Sequence, residues 1–208
     1  MPPCLPKAFY QRDPVALARA LLGQRLVRTL DHPHGTRLAG LIVEVEAYLG
    51  EQDRAAHTFG GRRTPRNESM WRDGGHAYVY FTYGMHHCMN VVASVADDPV
   101  AVLIRALEPT EGIDLMYKHR KAARRDTDLC SGPAKLCQAL GIDRHLDRHD
   151  LSRGRPLFIE PARKTTVPAS RITVARRVGV SYAKQWADKP LRFYITDNPH
   201  VSRPRTPE

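Results

Sequence analysis

The stretch from Arg37 to Leu49 constrains the fold of this chain more than any other. Leu41, Val43, Val45, Ala47 and Leu49 share one parity, while Ile42, Glu44, Glu46 and Tyr48 share the other. Successive side chains of a strand point to opposite faces, so the alternation predicts a strand with an apolar core face and an exposed working face that carries two carboxylates and a phenol. Gln24 to Leu30 is a second β-rich run, and Asp31-His32-Pro33-His34-Gly35-Thr36 between the two is turn chemistry. A hairpin is expected.

The same reasoning extends along the chain. Asp13-Pro14 followed by Val15, Leu17, Leu21 and Leu22 reads as an N-cap, a proline at the first helical position and an apolar stripe, stopped by Gly23. His76 to Thr82, Met85 to Ala96 and Val100 to Leu107 are strand candidates, with tight turns at Tyr83-Gly84 and Asp97-Asp98-Pro99. An antiparallel meander follows. Helices are expected over Pro109 to Ala123 and from Pro133 to a stop at Gly141, and shorter strands at Leu157 to Glu160, Ile172 to Ala175 and Arg192 to Ile195. With no internal repeat and no dividing linker, these elements predict one α+β domain over 9–202. Prolines crowd both ends, so 1–8 and 203–208 are expected to be disordered.

Composition narrows the partners. The 32 Lys and Arg against 22 Asp and Glu leave a formal charge of +10, which suits a polyanion such as a phosphate backbone. A ribosome-associated protein, an RNA enzyme or a basic housekeeping enzyme would carry the same excess. Cys4, Cys88, Cys130 and Cys137 form no C-x-x-C pair and no zinc-finger spacing with histidines, so reduced thiols are expected. No apolar run approaches the roughly 20 residues of a membrane span, and there is no leader-like start, so a soluble intracellular protein is expected. His145 and His149 have an i, i+4 spacing but lack the glutamate of a zinc helix, and no metal is expected there. Nucleotide-binding glycine loops, the serine-hydrolase elbow and the zinc-deaminase signature are missing too.

Three segments remain as candidates for chemistry. Glu44 and Glu46 beside Tyr48 offer carboxylates next to an aromatic ring, although alternating acids on a strand are ordinarily a solvated face. The loop Gly60-Gly61-Arg62-Arg63-Thr64-Pro65-Arg66-Asn67 can approach a phosphate backbone closely. Tyr78 and Tyr80 share one strand face, and Tyr83 falls at a hairpin tip, where packing does not explain a tyrosine but insertion between bases does.

Taken together, these segments with Ala55-Ala56-His57, Tyr80-Phe81-Thr82-Tyr83-Gly84-Met85, Cys88-Met89-Asn90, Leu103-Ile104-Arg105-Ala106-Leu107-Glu108-Pro109, Leu129-Cys130-Ser131-Gly132-Pro133-Ala134-Lys135-Leu136 and Lys189-Pro190-Leu191-Arg192-Phe193-Tyr194 resemble, in order and spacing, the motifs of the alkyladenine (3-methyladenine) DNA glycosylase family. The resemblance runs from Phe9 to Ser202. It implies a curved antiparallel sheet with flanking helices and a protruding hairpin that enters the DNA minor groove, with no cofactor and no metal. By similarity, Glu46 is the general base and Arg105 steadies the flipped nucleotide and its water. Tyr48, His57, Tyr80 and Asn90 form the base pocket, with Asn90 excluding the guanine 2-amino group. Tyr83 is the intercalating wedge with Met85 beside it, and Arg62, Arg63, Thr64, Asn67 and Lys135 face the DNA backbone. Val45 stands where relatives commonly carry threonine, and His86-His87 where aromatic residues are frequent.

The implied activity is monofunctional: alkylated or deaminated purines in double-stranded DNA are flipped out and released with an activated water, which starts base excision repair. The implied protein is a monomer, cytoplasmic with the nucleoid in a bacterium or nuclear in a eukaryote. Elementary chemistry agrees, since an N-glycosidic bond breaks through an oxocarbenium-like state that one carboxylate can stabilise while it takes a proton from water. A cationic alkylated purine also gains cation-π attraction between tyrosines. Two other classes share parts of this pattern: an RNA-binding module, which needs no pocket, and a formyltransferase-like accessory domain.

Overall fold

The computed structural model describes residues 4–30, 35–162 and 166–203. Chain entry is ordered earlier than the prolines suggest: Leu5 is buried, its N–H donates to the Ile159 carbonyl (2.8 Å), and α1 (Lys7–Tyr10) follows at once. The expected opening helix is α2 (Pro14–Leu21), where the Asp13 carboxylate accepts from the N–H groups of Val15 (2.8 Å) and Ala16 (3.0 Å). Such a cap stabilises by about 1 kcal/mol. Leu17 and Leu21 on its inner face are fully buried, each contributing roughly 1.5–3 kcal/mol.

Among the described residues, eight strands form one curled antiparallel sheet: β1 (Arg25–Thr29), β2 (Arg37–Tyr48), β3 (Ala77–Thr82), β4 (His86–Val92), β5 (Ala101–Glu111), β6 (Leu157–Glu160), β7 (Ile172–Ala175) and β8 (Arg192–Ile195). The main path runs β3-β4-β5-β2-β1-β6. β2 is long enough to share its second edge, pairing with β1 over Arg37 to Leu41 and with β8 over Glu44 to Glu46. Leu30 and Thr36 close the β1–β2 hairpin through a backbone bond, while residues 31–34 of the expected turn lie outside the described residues.

The helices α3 (Ile113–His119) and α5 (Pro133–Leu140) join α2 on one face, over a core that includes Ile42, Val45, Ala47, Ile104, Met116 and Leu136. A smaller cluster of Val43, Ala106, Ala175, Tyr194 and Val201 lies apart from it. The short α4 (Asp126–Leu129) links α3 to α5.

Two sequence expectations need correction. The helix expected from Pro109 starts later, because β5 continues through Pro109 to Glu111 before Gly112 (φ 74°) turns the chain into α3. β4 releases β5 after Leu103, and an edge position tolerates a proline without a donor. Gly112 is required there, since a Cβ would come within 2.6 Å of the Arg37 carbonyl oxygen and the backbone is left-handed.

The second correction concerns β2. Its alternation slips by one residue, so that Ile42 joins Val45 and Ala47 in the main core while Val43 joins the smaller cluster. The register jumps from Ile42↔Leu107 to Glu44↔Ala106 and then to Val45↔Ile104, leaving Val43 on β2 and Arg105 on β5 without opposite residues. Bulges of this kind bend a strand and re-aim side chains. The face carrying Glu44 and Glu46 is not solvated either: both are 0% exposed. Partners from β8, the chain end and the loop after β7 cover it.

Candidate active site

The two carboxylates are held differently. Glu44 Oε1 accepts from Arg105 Nε (2.7 Å), Arg192 Nε (2.7 Å) and Ser202 Oγ (2.8 Å), and its Oε2 accepts from the Ser202 N–H (2.7 Å). Glu46 Oε1 accepts from the Val178 N–H (2.8 Å) and lies 3.1 Å from Arg105 Nη1, and its Oε2 accepts from the Tyr48 hydroxyl (2.9 Å). On Oε2 each acid carries one of these donors, a backbone N–H for Glu44 and a phenol for Glu46.

Arg105 joins the two acids. Burial works against its charge, but Glu46 and Glu44 beside it hold its pKa above the ordinary arginine value. Its place in the β5 irregularity lets one guanidinium reach both carboxylates. Burial, then the Glu46 charge, pushes the Tyr48 phenol well above its usual range, so Tyr48 stays a donor.

In front of Glu46 opens a cavity of about 230 Å³, lined by Tyr48, His57, Tyr80, Tyr83, Asn90 and Arg105 among others. Glu46 itself sits behind Tyr48, Val178 and Arg105, all three of which face the cavity. His57 packs edge-on against Tyr80 (4.7 Å between centroids) and shares a 2.7 Å hydrogen bond between Nδ1 and the Tyr78 hydroxyl. Burial, and then Arg66 and Arg62, lowers its pKa to about 4, so the ring is neutral at pH 7. Burial also raises the phenols of Tyr78 and Tyr80, which keeps the wall uncharged. Asn90 Nδ2 donates to the Tyr78 carbonyl (3.2 Å), fixing the amide at the cavity.

At the mouth stands the β3–β4 hairpin. Tyr83 (φ 52°) and Gly84 (φ 67°) are both left-handed, and the Met85 N–H donates to the Thr82 carbonyl (3.3 Å). Positive φ at both central positions matches the twist of the flanking strands, but a tyrosine there costs about 1–2 kcal/mol. Its ring gains little packing in return, being 86% exposed, with Met85 at 70%.

The other expected contacts separate. Arg62, Thr64 and Asn67 line a neighbouring cavity of about 280 Å³ that shares His57 with the first. Asn67 does not reach outward: Oδ1 accepts from the Thr64 N–H (2.7 Å) and hydroxyl (3.1 Å), while Nδ2 donates to the carbonyls of His57 (2.9 Å) and Arg62 (2.8 Å). Both donors and both acceptor sites are engaged within the loop and on the His57 carbonyl. Arg63 is paired at the surface with Glu68 (2.6 Å) and Asp97 (3.2 Å). Lys135 lies on exposed α5 surface, its Nζ 3.5 Å from Ser131 Oγ, in a third cavity of about 440 Å³ with Ser202 and Arg203.

Sequence reasoning missed Val178, because a backbone N–H leaves no residue-type signal, although Gly179 (φ 77°) marks a special turn there. It also missed Asp53 and Arg177, and it left Tyr78, Cys88 and Tyr182 out of the wall. The shared parity of Tyr78 with Tyr80 was the available signal for the first.

Sheet and site together define a single α+β domain with a deep aromatic pocket over a buried carboxylate and under a protruding hairpin. Residues 8–199 match the family described as methylpurine-DNA glycosylase. The human DNA-3-methyladenine glycosylase is 48% identical over 203 residues, spanning 93% of this chain and 66% of the human protein. The mouse protein of that name is 46% identical over 202 residues, spanning 93% of this chain and 60% of its own length. A Clostridium acetobutylicum relative is 45% identical over 203 residues, 94% of this chain and 96% of its own. The chain therefore spans less than two thirds of these mammalian relatives but nearly all of the bacterial one, and it belongs to the methylpurine-DNA glycosylase family.

Proposed function

We propose that the protein is a monofunctional DNA glycosylase that takes a damaged purine nucleotide out of duplex DNA and hydrolyses its N-glycosidic bond, the opening step of base excision repair. The observation that carries this is the contrast in partners: of these two acids, Glu46 is held by Tyr48 and Val178, which line the cavity, while Arg192 and Ser202, which hold Glu44, do not. A water loses a proton to Glu46 as it attacks C1′, and the carboxylate charge offsets the cation developing on the sugar. Tyr48, Tyr80 and His57 supply uncharged aromatic surface for the base, favouring 3-methyladenine and 7-methylguanine through ring charge and admitting hypoxanthine or ethenoadenine by shape.

Tyr83 fills the gap left in the duplex, and Arg62, Arg63, Thr64 and Lys135 meet phosphates, in keeping with the formal charge of +10. Among the described residues, no lysine lines the main cavity, which favours water over an amine nucleophile. No helix among the described residues is long and apolar enough to cross a membrane.

The test is release of free 7-methylguanine from methylated duplex DNA in the presence of EDTA, with borohydride added in parallel. Base release without a trapped covalent adduct is expected. Binding without release leaves an accessory DNA-binding role, and a borohydride adduct at one lysine overturns the water mechanism.

A further inference from the structure

A second buried ion pair lies beside the site, with no part in it assigned so far. Arg177 and Asp53 have fully buried side chains. The guanidinium forks onto the carboxylate, Nη1 to Oδ2 and Nη2 to Oδ1 (2.9 Å), and donates further to the carbonyls of Ala47 (3.0 Å) and Trp186 (3.2 Å). Asp53 accepts in addition from the N–H groups of Leu49 (3.1 Å) and Ala55 (3.0 Å). Arg177 therefore grips the backbone just before Tyr48, Asp53 grips it just after, and the guanidinium carbon lies 4.6 Å from the centre of the Tyr48 ring. Arg177 also precedes Val178 directly.

Both donors that hold Glu46 from this side, the Tyr48 hydroxyl and the Val178 N–H, thus belong to residues fixed by one ion pair. The third partner, Arg105, is anchored separately by Glu44 and Ser202. A buried pair is a poor device for stability alone, because desolvation offsets most of its attraction. A forked arginine is a good device for geometry, since its planar donors fix direction as well as distance.

We infer that Arg177, clamped by Asp53, is a positioning residue for Glu46: it sets the Tyr48 hydroxyl and the Val178 N–H that orient the carboxylate toward its water. This rests on the glycosylase reading above. Loosening the clamp lets Val178 and Tyr48 drift, and the carboxylate loses the donors that orient it. The groups that face Glu46 are Arg105 on β5, Tyr48 on β2 and Arg177 with Val178 on the loop after β7, with Tyr80 on β3, Cys88 on β4 and Tyr182 farther off.

The experiment compares wild type, Arg177→Lys, Asp53→Asn and the double variant in single-turnover excision of 7-methylguanine, a lesion that needs no acid, with the Val178 amide followed by NMR. Arg177→Lys keeps the charge but cannot fork, and a displacement of about 1 Å costs roughly a hundredfold. Expected are a tenfold to hundredfold slower step at near wild-type duplex affinity and faster exchange of the Val178 amide. Asp53→Asn should show the same loss and the double variant little more, because the two act as a unit; either single variant suffices if the other does not fold. An unmoved Val178 amide, rate and affinity falling together, or additive losses overturn the clamp. Wild type that releases no base overturns the glycosylase reading instead, while the Val178 amide still judges the clamp.

Discussion

Glu44 and Glu46 sit two residues apart on one strand, are equally buried and touch the same arginine, yet they belong to different regions of the molecule. Glu44 closes on the molecule's own ends and edges, binding Arg192 of β8 and Ser202 near the chain terminus. Glu46 closes on residues that line a cavity. Burial therefore does not tell the two acids apart; the identity of their donors does.

The comparison breaks most directly at Glu46. Glu46→Gln keeps the shape but removes the proton acceptor, and excision of 7-methylguanine in single turnover should fall by about 10²- to 10⁴-fold with lesion affinity retained. Glu44→Gln should act on the fold instead, since Arg105 and Arg192 lose their shared charge, and breaking a buried pair costs about 3–5 kcal/mol. Urea unfolding measures this, and a stable but inactive Glu44→Gln beside an active Glu46→Gln would invert the two assignments.

The hairpin tip sharpens the contrast from outside the buried network. Tyr83→Gly relieves a left-handed non-glycine residue, which should leave the fold as stable or up to about 1 kcal/mol more stable. Capture of the flipped state should weaken by about 1–3 kcal/mol, read from the fluorescence of a reporter base. Unchanged flipping would remove the wedge from the reading.

An effect confined to acid pH is expected at His57, in the cavity wall. Its folded pKa of about 4 lies below the ordinary 6.5, so between those values the unfolded chain binds a proton that the folded chain refuses. Its contribution is whole above pH 6.5 and is lost as pH falls toward 4, at roughly 1.4 kcal/mol per unit at most. His57→Gln should flatten the fall in urea midpoint over that window, and an unchanged slope would assign the acid sensitivity to the carboxylates.

Much of this was legible from local residues. Asp13-Pro14 marked α2, Pro133 and Gly141 bounded α5, and Tyr83-Gly84 marked the hairpin turn, because caps and turns depend on residues a few positions apart. The resemblance also drew attention to Tyr48, His57, Tyr80 and Asn90, which do meet around one cavity. What failed was parity across a bulge: nothing in Ile42-Val43-Glu44 announces the slip, since its cause lies in the register against β5.

The sequence by itself determined the strands, the turns, the excess of positive charge and the residue types available for chemistry. Tertiary structure alone decided what holds Glu44, because Ser202 reaches it from 158 residues away, and what holds Glu46, because Val178 comes from 132 residues away and Arg177 meets Asp53 across 124. Local patterning fixes which way a side chain leaves its strand, but a carboxylate's role depends on donors that only chain folding brings within 3 Å, and those pairings leave no period in the sequence.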